Sequence, residues 1–168
     1  MTRARVEEVI GQGMHRVLGD GVHYRDLLDI RAAIDDWSQW CATWSRFGDG
    51  AEQRGRTAED HGRVRSAARE YARAALYFHY AHNLYYDEPQ LKLTVHDSKV
   101  EVFARAAPLL SPPLQPVSIP FYGIEMPAYL RLPAGVSKPP VVILLGGLDT
   151  TKEDYQVVND LCVERGLA

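Results

Sequence analysis

Cysteine is scarce in this chain: Cys41 and Cys162 stand far apart and outside any CxxC or metal-ligand spacing. That excludes a disulfide framework and a thiolate metal site, and it fits a reducing compartment. A long apolar run is also missing, so no segment reads as a bilayer span. The first residues, MTRARVEEVIGQGMHRVLGDG, lack the apolar core of a signal peptide, and the expectation is a cytoplasmic protein with no membrane partner. Charge of one sign is lacking too. With 19 Lys and Arg against 22 Asp and Glu, a net charge of -3 makes no electrostatic case for nucleic acid or an anionic surface.

What is present changes character once, between Pro108 and Pro116. Before that point apolar residues recur at helical spacing. A first helix is expected over Val6 to Leu18, stopped by Gly19-Asp20-Gly21. A second carries Ile30, Ile34, Trp37, Trp40, Cys41 and Trp44 along one face and is expected to end at Gly48-Asp49-Gly50. The tryptophans read as core packing, the usual fate of an aromatic stripe. The segment Gln53 to Arg65 is polar, with Thr57 and Asp60 available as caps. The strongest pattern runs from Ser66 to Tyr86, where Ala67, Tyr71, Ala74, Ala75, Phe78, Ala81, His82 and Tyr85 share a face. A further helix is expected over Leu91 to Leu109, with Val95, Val102, Phe103 and Ala106 inward, before LLSPPLQP forces extended backbone.

Beyond the prolines, Val117 to Tyr122 and Met126 to Leu132 read as a hairpin turning at Gly123. The run Val141 to Leu145 is continuously apolar, the signature of a strand buried on both faces of a parallel sheet. Gly146-Gly147 follows it, and Thr150 and Glu153 have the spacing of a capping box opening a helix with Tyr155, Val158, Leu161 and Cys162 on its apolar side. Gly166 is placed as its C-cap. A glycine turn between strand and helix leaves backbone N–H groups free to hold an oxyanion. Helix capping accounts for Glu153 and Asp154 more simply than acid–base chemistry does, and Lys152 reads as solvated. A buried strand needs neighbours, so the 168 residues read as the N-terminal part of a longer protein. Expressed alone, they are expected to give a molten or aggregating product with a protected helical half.

The order hairpin, strand, Gly-Gly turn, helix resembles the opening of the α/β-hydrolase fold, with Leu145-Gly146-Gly147-Leu148 where many members carry His-Gly-x-x. More narrowly, GGLDTTKED after PPVVILL, preceded by DWSQWCATW and AAREYARAALYFHYAHNLYYDEP, resembles the group of FrsA-like esterases, pseudooxynicotine hydrolases and fungal polyketide-shortening hydrolases. The resemblance implies an α/β fold in which residues 1–112 form a helical cap and 113–168 begin a catalytic domain. It implies a serine hydrolase, without metal or organic cofactor, that cleaves a carbon–carbon bond next to a ketone, or an ester, by acyl transfer. One oxyanion donor would be the amide of Gly147, with that of Leu148 the neighbouring choice.

No serine of the chain lies in a Gly-x-Ser-x-Gly elbow and every histidine precedes the glycine turn, so no nucleophile, base or acid is assigned. Tyr77 and Tyr80 offer hydroxyls and ring faces to a small-molecule ketone or ester, or else pack against neighbouring helices or the second copy of a homodimer. His79 and His82, one turn apart, fall short of a zinc site without a third ligand and read as residues facing the substrate. Two other readings stay open: a plain carboxylesterase, and a non-catalytic helical binding or dimerisation module with a relic hydrolase tail.

Overall fold

The computed structural model describes residues 3–168. Five helices come first: α1 (Arg3–Gly19), α2 (Tyr24–Ala33), α3 (Trp40–Asp60), α4 (Val64–His82) and α5 (Pro89–Ala106). An antiparallel hairpin, β1 (Leu114–Phe121) with β2 (Ile124–Arg131), and a last helix α6 (Gln156–Glu164) follow. The centre is the antiparallel pair α3–α4, against which α5 packs.

Glycine ends three of the helices for the same reason. Gly21, Gly62 and Gly166 have φ of 105°, 68° and 76°. In each case the residue after the glycine donates back to a carbonyl one turn inside the helix: Val22 to Val17, Arg63 to Ala58 and Leu167 to Cys162. This is the Schellman arrangement, which satisfies carbonyls the helix leaves over. The expected stops at Gly19-Asp20-Gly21 and Gly166 are therefore where the structure has them.

The second helix differs from expectation. Ile30, Ile34 and Trp37 do not continue into Trp40 and Trp44 on one helix, because Asp36 interrupts them. Its side chain accepts from the Ser38 amide at 2.9 Å, and Gln39 Oε1 accepts from the Asp36 amide, a capping box that starts a short 3₁₀ turn over Trp37–Gln39. Nor does α3 stop at Gly48-Asp49-Gly50. It runs through them to Asp60, so Thr57 and Asp60 lie within the helix and cap nothing. Gly48 and Gly55 serve packing: a Cβ on Gly48 would lie 2.7 Å from the ring of Phe78, and one on Gly55 2.6 Å from the ring of Tyr71. The two helices approach closely only because both positions lack a side chain.

The core is built on aromatics. Trp37 stacks on Trp40 with ring centroids 4.8 Å apart, and Trp44 meets Tyr80 at 5.3 Å and Tyr77 at 6.1 Å. Trp37, Trp44, Tyr71, Tyr77, Tyr85 and Phe103 are fully buried, and such side chains bury more apolar area than any others.

The hairpin lies close to its expected place and turns at Tyr122-Gly123, both with positive φ (46° and 83°), the twist a tight hairpin needs. Arg131, almost fully buried at its base, donates to the carbonyls of Pro112 and Ser111 and pairs with Asp160 of α6, so the hairpin, the proline segment and α6 meet on one guanidinium.

Val141 to Leu145 is the clearest departure. It forms no ladder with β1 or β2, and Val141, Ile143 and Leu145 are 67%, 78% and 83% exposed. Among the described residues the Ala168 main chain accepts from Val142 and donates to Pro140, and the Tyr155 hydroxyl donates to the Leu145 carbonyl. A run suited to burial on both faces is left mostly exposed by these residues, with Leu144 alone partly buried. No helix among the described residues is long and apolar enough to cross a membrane.

Candidate functional site

The turn after Leu145 is shaped by Thr150. Its hydroxyl accepts from the Gly147 amide at 2.8 Å and lies 3.3 Å from the Tyr155 hydroxyl, which donates to the Leu145 carbonyl at 2.9 Å. Gly146 passes so close to this loop that a Cβ would sit 2.7 Å from the Thr150 carbonyl oxygen, which is why glycine is needed there. Of the two candidate oxyanion donors, the Gly147 amide is thus engaged within the turn. The Leu148 amide has no hydrogen-bond partner among the described residues, and the Leu148 side chain is fully exposed.

Thr150 and Glu153 do not form the expected capping box. The helix starts only at Gln156, with no side-chain cap, and Asp154 instead accepts from the Thr151 amide at 2.6 Å. Glu153 and Asp154 point into the molecule. Lys99 of α5 is fully buried there; its Nζ donates to the Thr151 hydroxyl at 2.6 Å and stands 3.9 Å from both carboxylates. His79 Nδ1 is 3.1 Å from Asp154 Oδ2, close but not aligned as a hydrogen bond. Lys152, expected in solvent, is half-buried on Glu153 and over the Tyr129 ring.

Burial pushes both carboxyls up, yet they end below the usual carboxylate range: Glu153 because Lys152, Thr151 and Lys99 favour its anion, Asp154 because His79 and Lys99 do. Burial lowers Lys99, and the two carboxylates oppose that. Capping chemistry was the wrong account of this pair. The missed signal was Lys99 itself, on the inward face of α5 with Val95, Val102 and Phe103, where a cation requires a buried anion.

Beside the glycine turn lies a cavity of about 90 Å³ within the helical half. Its walls are mostly apolar, including Ile10, Leu27, Trp40, Trp44 and Tyr80, and Asp149 of the turn also lines it and pairs with Arg16 of α1 at 2.6 Å. Tyr80 therefore lines a cavity next to the turn, while its hydroxyl donates to Asp20. Tyr77 is fully buried and donates to Asp26. His79 faces Asp154, and His82 sits between the rings of His79 and His96. None of Tyr77, His79 and His82 lines this cavity. Among the described residues no group of three or more His, Cys, Asp and Glu side chains is placed to hold a metal ion.

Comparison with known proteins places this architecture. The chain is 36% identical over 162 residues to 2,6-dihydropseudooxynicotine hydrolase of Paenarthrobacter nicotinovorans, covering 96% of this chain and 43% of that one. It is 32% identical over 130 residues to the hydrolyase poxO of Penicillium oxalicum, covering 74% of this chain and 31% of the relative. A crystal structure of the 2,6-dihydroxy-pseudo-oxynicotine hydrolase superposes on 90% of this chain and 42% of its own with a TM-score of 0.81 at 35% identity. The chain thus spans about two fifths of the length of that bacterial enzyme. With the profile described as "Esterase FrsA-like" matching residues 24–168, the chain belongs to the FrsA-like esterase family, hydrolases of the α/β-hydrolase fold.

Proposed function

We propose that this chain supplies the helical lid and the oxyanion turn of a serine hydrolase acting on a small-molecule ketone or ester. Residues 1–112 serve as the lid, and residues 113–168 begin the catalytic domain. The observation that carries the reading is Asp149: it follows the glycine turn and at the same time lines the aromatic-walled cavity of the helical half. A substrate with its apolar end in that cavity has its carbonyl beside the turn.

In this reading a serine, placed elsewhere in the full-length enzyme, attacks the carbonyl, a histidine moves the proton, and the Leu148 amide receives the negative oxygen. Water then releases the acyl group. Leu148 is favoured over Gly147 because its N–H is uncommitted, whereas the Gly147 amide must first leave Thr150. Tyr80 contributes a wall of the pocket; Tyr77, His79 and His82 act behind it, as packing and support. The reaction proposed is cleavage of a carbon–carbon bond next to a ketone, in a cytoplasmic enzyme. The esterase description of the family supports plain ester hydrolysis as a second reading, and turnover of 1,3-diketones against short acyl esters separates the two.

Leu148→Pro in the full-length enzyme removes the donor. Loss of one such donor costs about 10² to 10³ in kcat, and KM is expected to change little; unchanged turnover sinks the assignment. The same reading frame is expected to encode a Gly-x-Ser-x-Gly elbow after Ala168, then an acid and a histidine.

A further inference from the structure

Gly146-Gly147-Leu148 has little in itself to fix its conformation. The two glycines have no side chain to pack, and the Leu148 side chain is fully exposed. The direction of the Leu148 N–H is therefore set by its neighbours. One of them is Thr150, whose main chain passes so close to Gly146 that an added Cβ would lie 2.7 Å from its carbonyl oxygen and 3.1 Å from its hydroxyl. That hydroxyl accepts from the Gly147 amide at 2.8 Å. Tyr155, the residue before α6, donates its single phenolic proton to the Leu145 carbonyl at 2.9 Å. Across the 3.3 Å between the two hydroxyls Thr150 is then the donor. A directed chain results, from Gly147 N–H to Thr150, from Thr150 O–H to Tyr155, and from Tyr155 O–H to the Leu145 carbonyl. It clasps the turn at the residue before the glycines and at the second of them.

We infer that Thr150 is a positioning residue, and that the chain through Tyr155 aims the Leu148 N–H at the oxygen that becomes negative. This role rests on the reading of Leu148 as the oxyanion donor. A donor stabilises developing charge most when it is held in place beforehand, because a turn that must reorganise as the charge appears gives back much of what it supplies. On the far side Asp149 pairs with Arg16 at 2.6 Å, so Leu148 stands between two tethered residues. The side chains of that pair are 42% and 35% exposed, and such pairs hold weakly and are screened by salt. The hydroxyl chain thus carries most of the restraint. In this arrangement the Gly147 amide is spent on shaping the turn and is not a second donor held in reserve.

The test uses the full-length enzyme with p-nitrophenyl butyrate or acetylacetone, whichever is turned over faster. Thr150→Val removes the hydroxyl at nearly unchanged shape. Gly147 is exposed, so water takes over its amide and the variant is expected to fold, with an unchanged circular dichroism spectrum. Its kcat is expected to fall about 10- to 100-fold with KM within about twofold, the mark of an interaction made in the transition state alone. Thr150→Ser keeps the hydroxyl and is expected to return kcat to within about threefold of the natural enzyme. Tyr155→Phe is expected to lower kcat less, and the double variant to be no slower than Thr150→Val, because the two hydroxyls act in one chain. Unchanged kcat in Thr150→Val, no rescue by serine, or additive losses overturn the role. A faster Thr150→Val overturns it as well, since Gly147 is then the donor that the threonine withholds. Leu148→Pro separates this role from the reading beneath it. If that variant is inactive while Thr150→Val turns over normally, the positioning role alone falls; if it is fully active, or if neither probe is turned over by the natural enzyme, the function proposed above falls and the role with it.

Discussion

His82 is enclosed where a proton has no welcome. Both ring nitrogens are buried without hydrogen-bond partners among the described residues, His79 and His96 stand edge-on to the ring, and Lys99 and Lys92 add positive charge nearby. Burial first, then these charges, takes it from its ordinary 6.5 to about 3. The sign of the linkage follows. On acidification the unfolded chain takes the proton and the folded one refuses it, so stability present above pH 6.5 is lost as pH falls toward 3. The slope is about 1.4 kcal/mol per pH unit. His96, also lowered mainly by burial, acts in the same direction. Between about pH 6.5 and 5 ordinary carboxylates in the unfolded chain contribute little. Urea titrations across that interval are expected to show the loss, and His82→Leu to flatten it. A slope unchanged in that variant moves the effect away from His82.

At the scale of elements, α3 and α4 meet through Gly48 and Gly55. Alanine normally gains about 1 kcal/mol over glycine inside a helix. Here its methyl group would enter the ring of Phe78 or Tyr71, and overpacking of that kind costs about 1–3 kcal/mol. Gly48→Ala and Gly55→Ala are therefore expected to lower the Tm. Gly50→Ala, whose Cβ meets only the end of Arg54 at 3.5 Å, is expected to raise it. Equal shifts at all three positions would show that the rings yield freely. These glycines also explain what could and could not be read in advance. The stop at Gly21 was legible because a left-handed residue there is a local matter. Gly48-Asp49-Gly50 looked like a stop as well, and only the ring packed against it from α4 reveals that Gly48 belongs inside a helix. Asp36 misled in the other direction, since its capping box with Gln39 breaks an apolar periodicity that continues undisturbed in the one-dimensional pattern.

Across the whole molecule, one buried lysine joins the helical half to the glycine turn. Lys99 holds Thr151 and stands near Glu153 and Asp154. Removing one partner of a buried ionic group typically costs about 3–5 kcal/mol, because the remaining charges stay desolvated. Lys99→Met is thus expected either to lower stability on that scale or to release residues 147–155 from the helices. Amide hydrogen exchange distinguishes these outcomes from a third, unchanged protection with unchanged Tm, which would show that the contacts carry no weight. This junction explains the uneven legibility of the site. The Gly-Gly turn and the aromatic residues of α3 and α4 stood out along the chain, and the family followed from them. The cavity draws on α1 to α4 and on Asp149, and the ionic cluster on α4, α5 and the turn; such long-range meetings leave no local spacing to read.

The uncovered stretch from Val141 to Leu145 has a price outside catalysis. Five consecutive uncharged aliphatic residues, four of them exposed among the described residues, are the kind of segment by which nascent chains stick to one another. Pro139 and Pro140 stand directly before it and cannot donate to an incoming strand, a gatekeeper position that shields one flank. The other flank, Gly146-Gly147, carries no such residue, so a chaperone that binds short aliphatic peptides would find a client sequence here during synthesis.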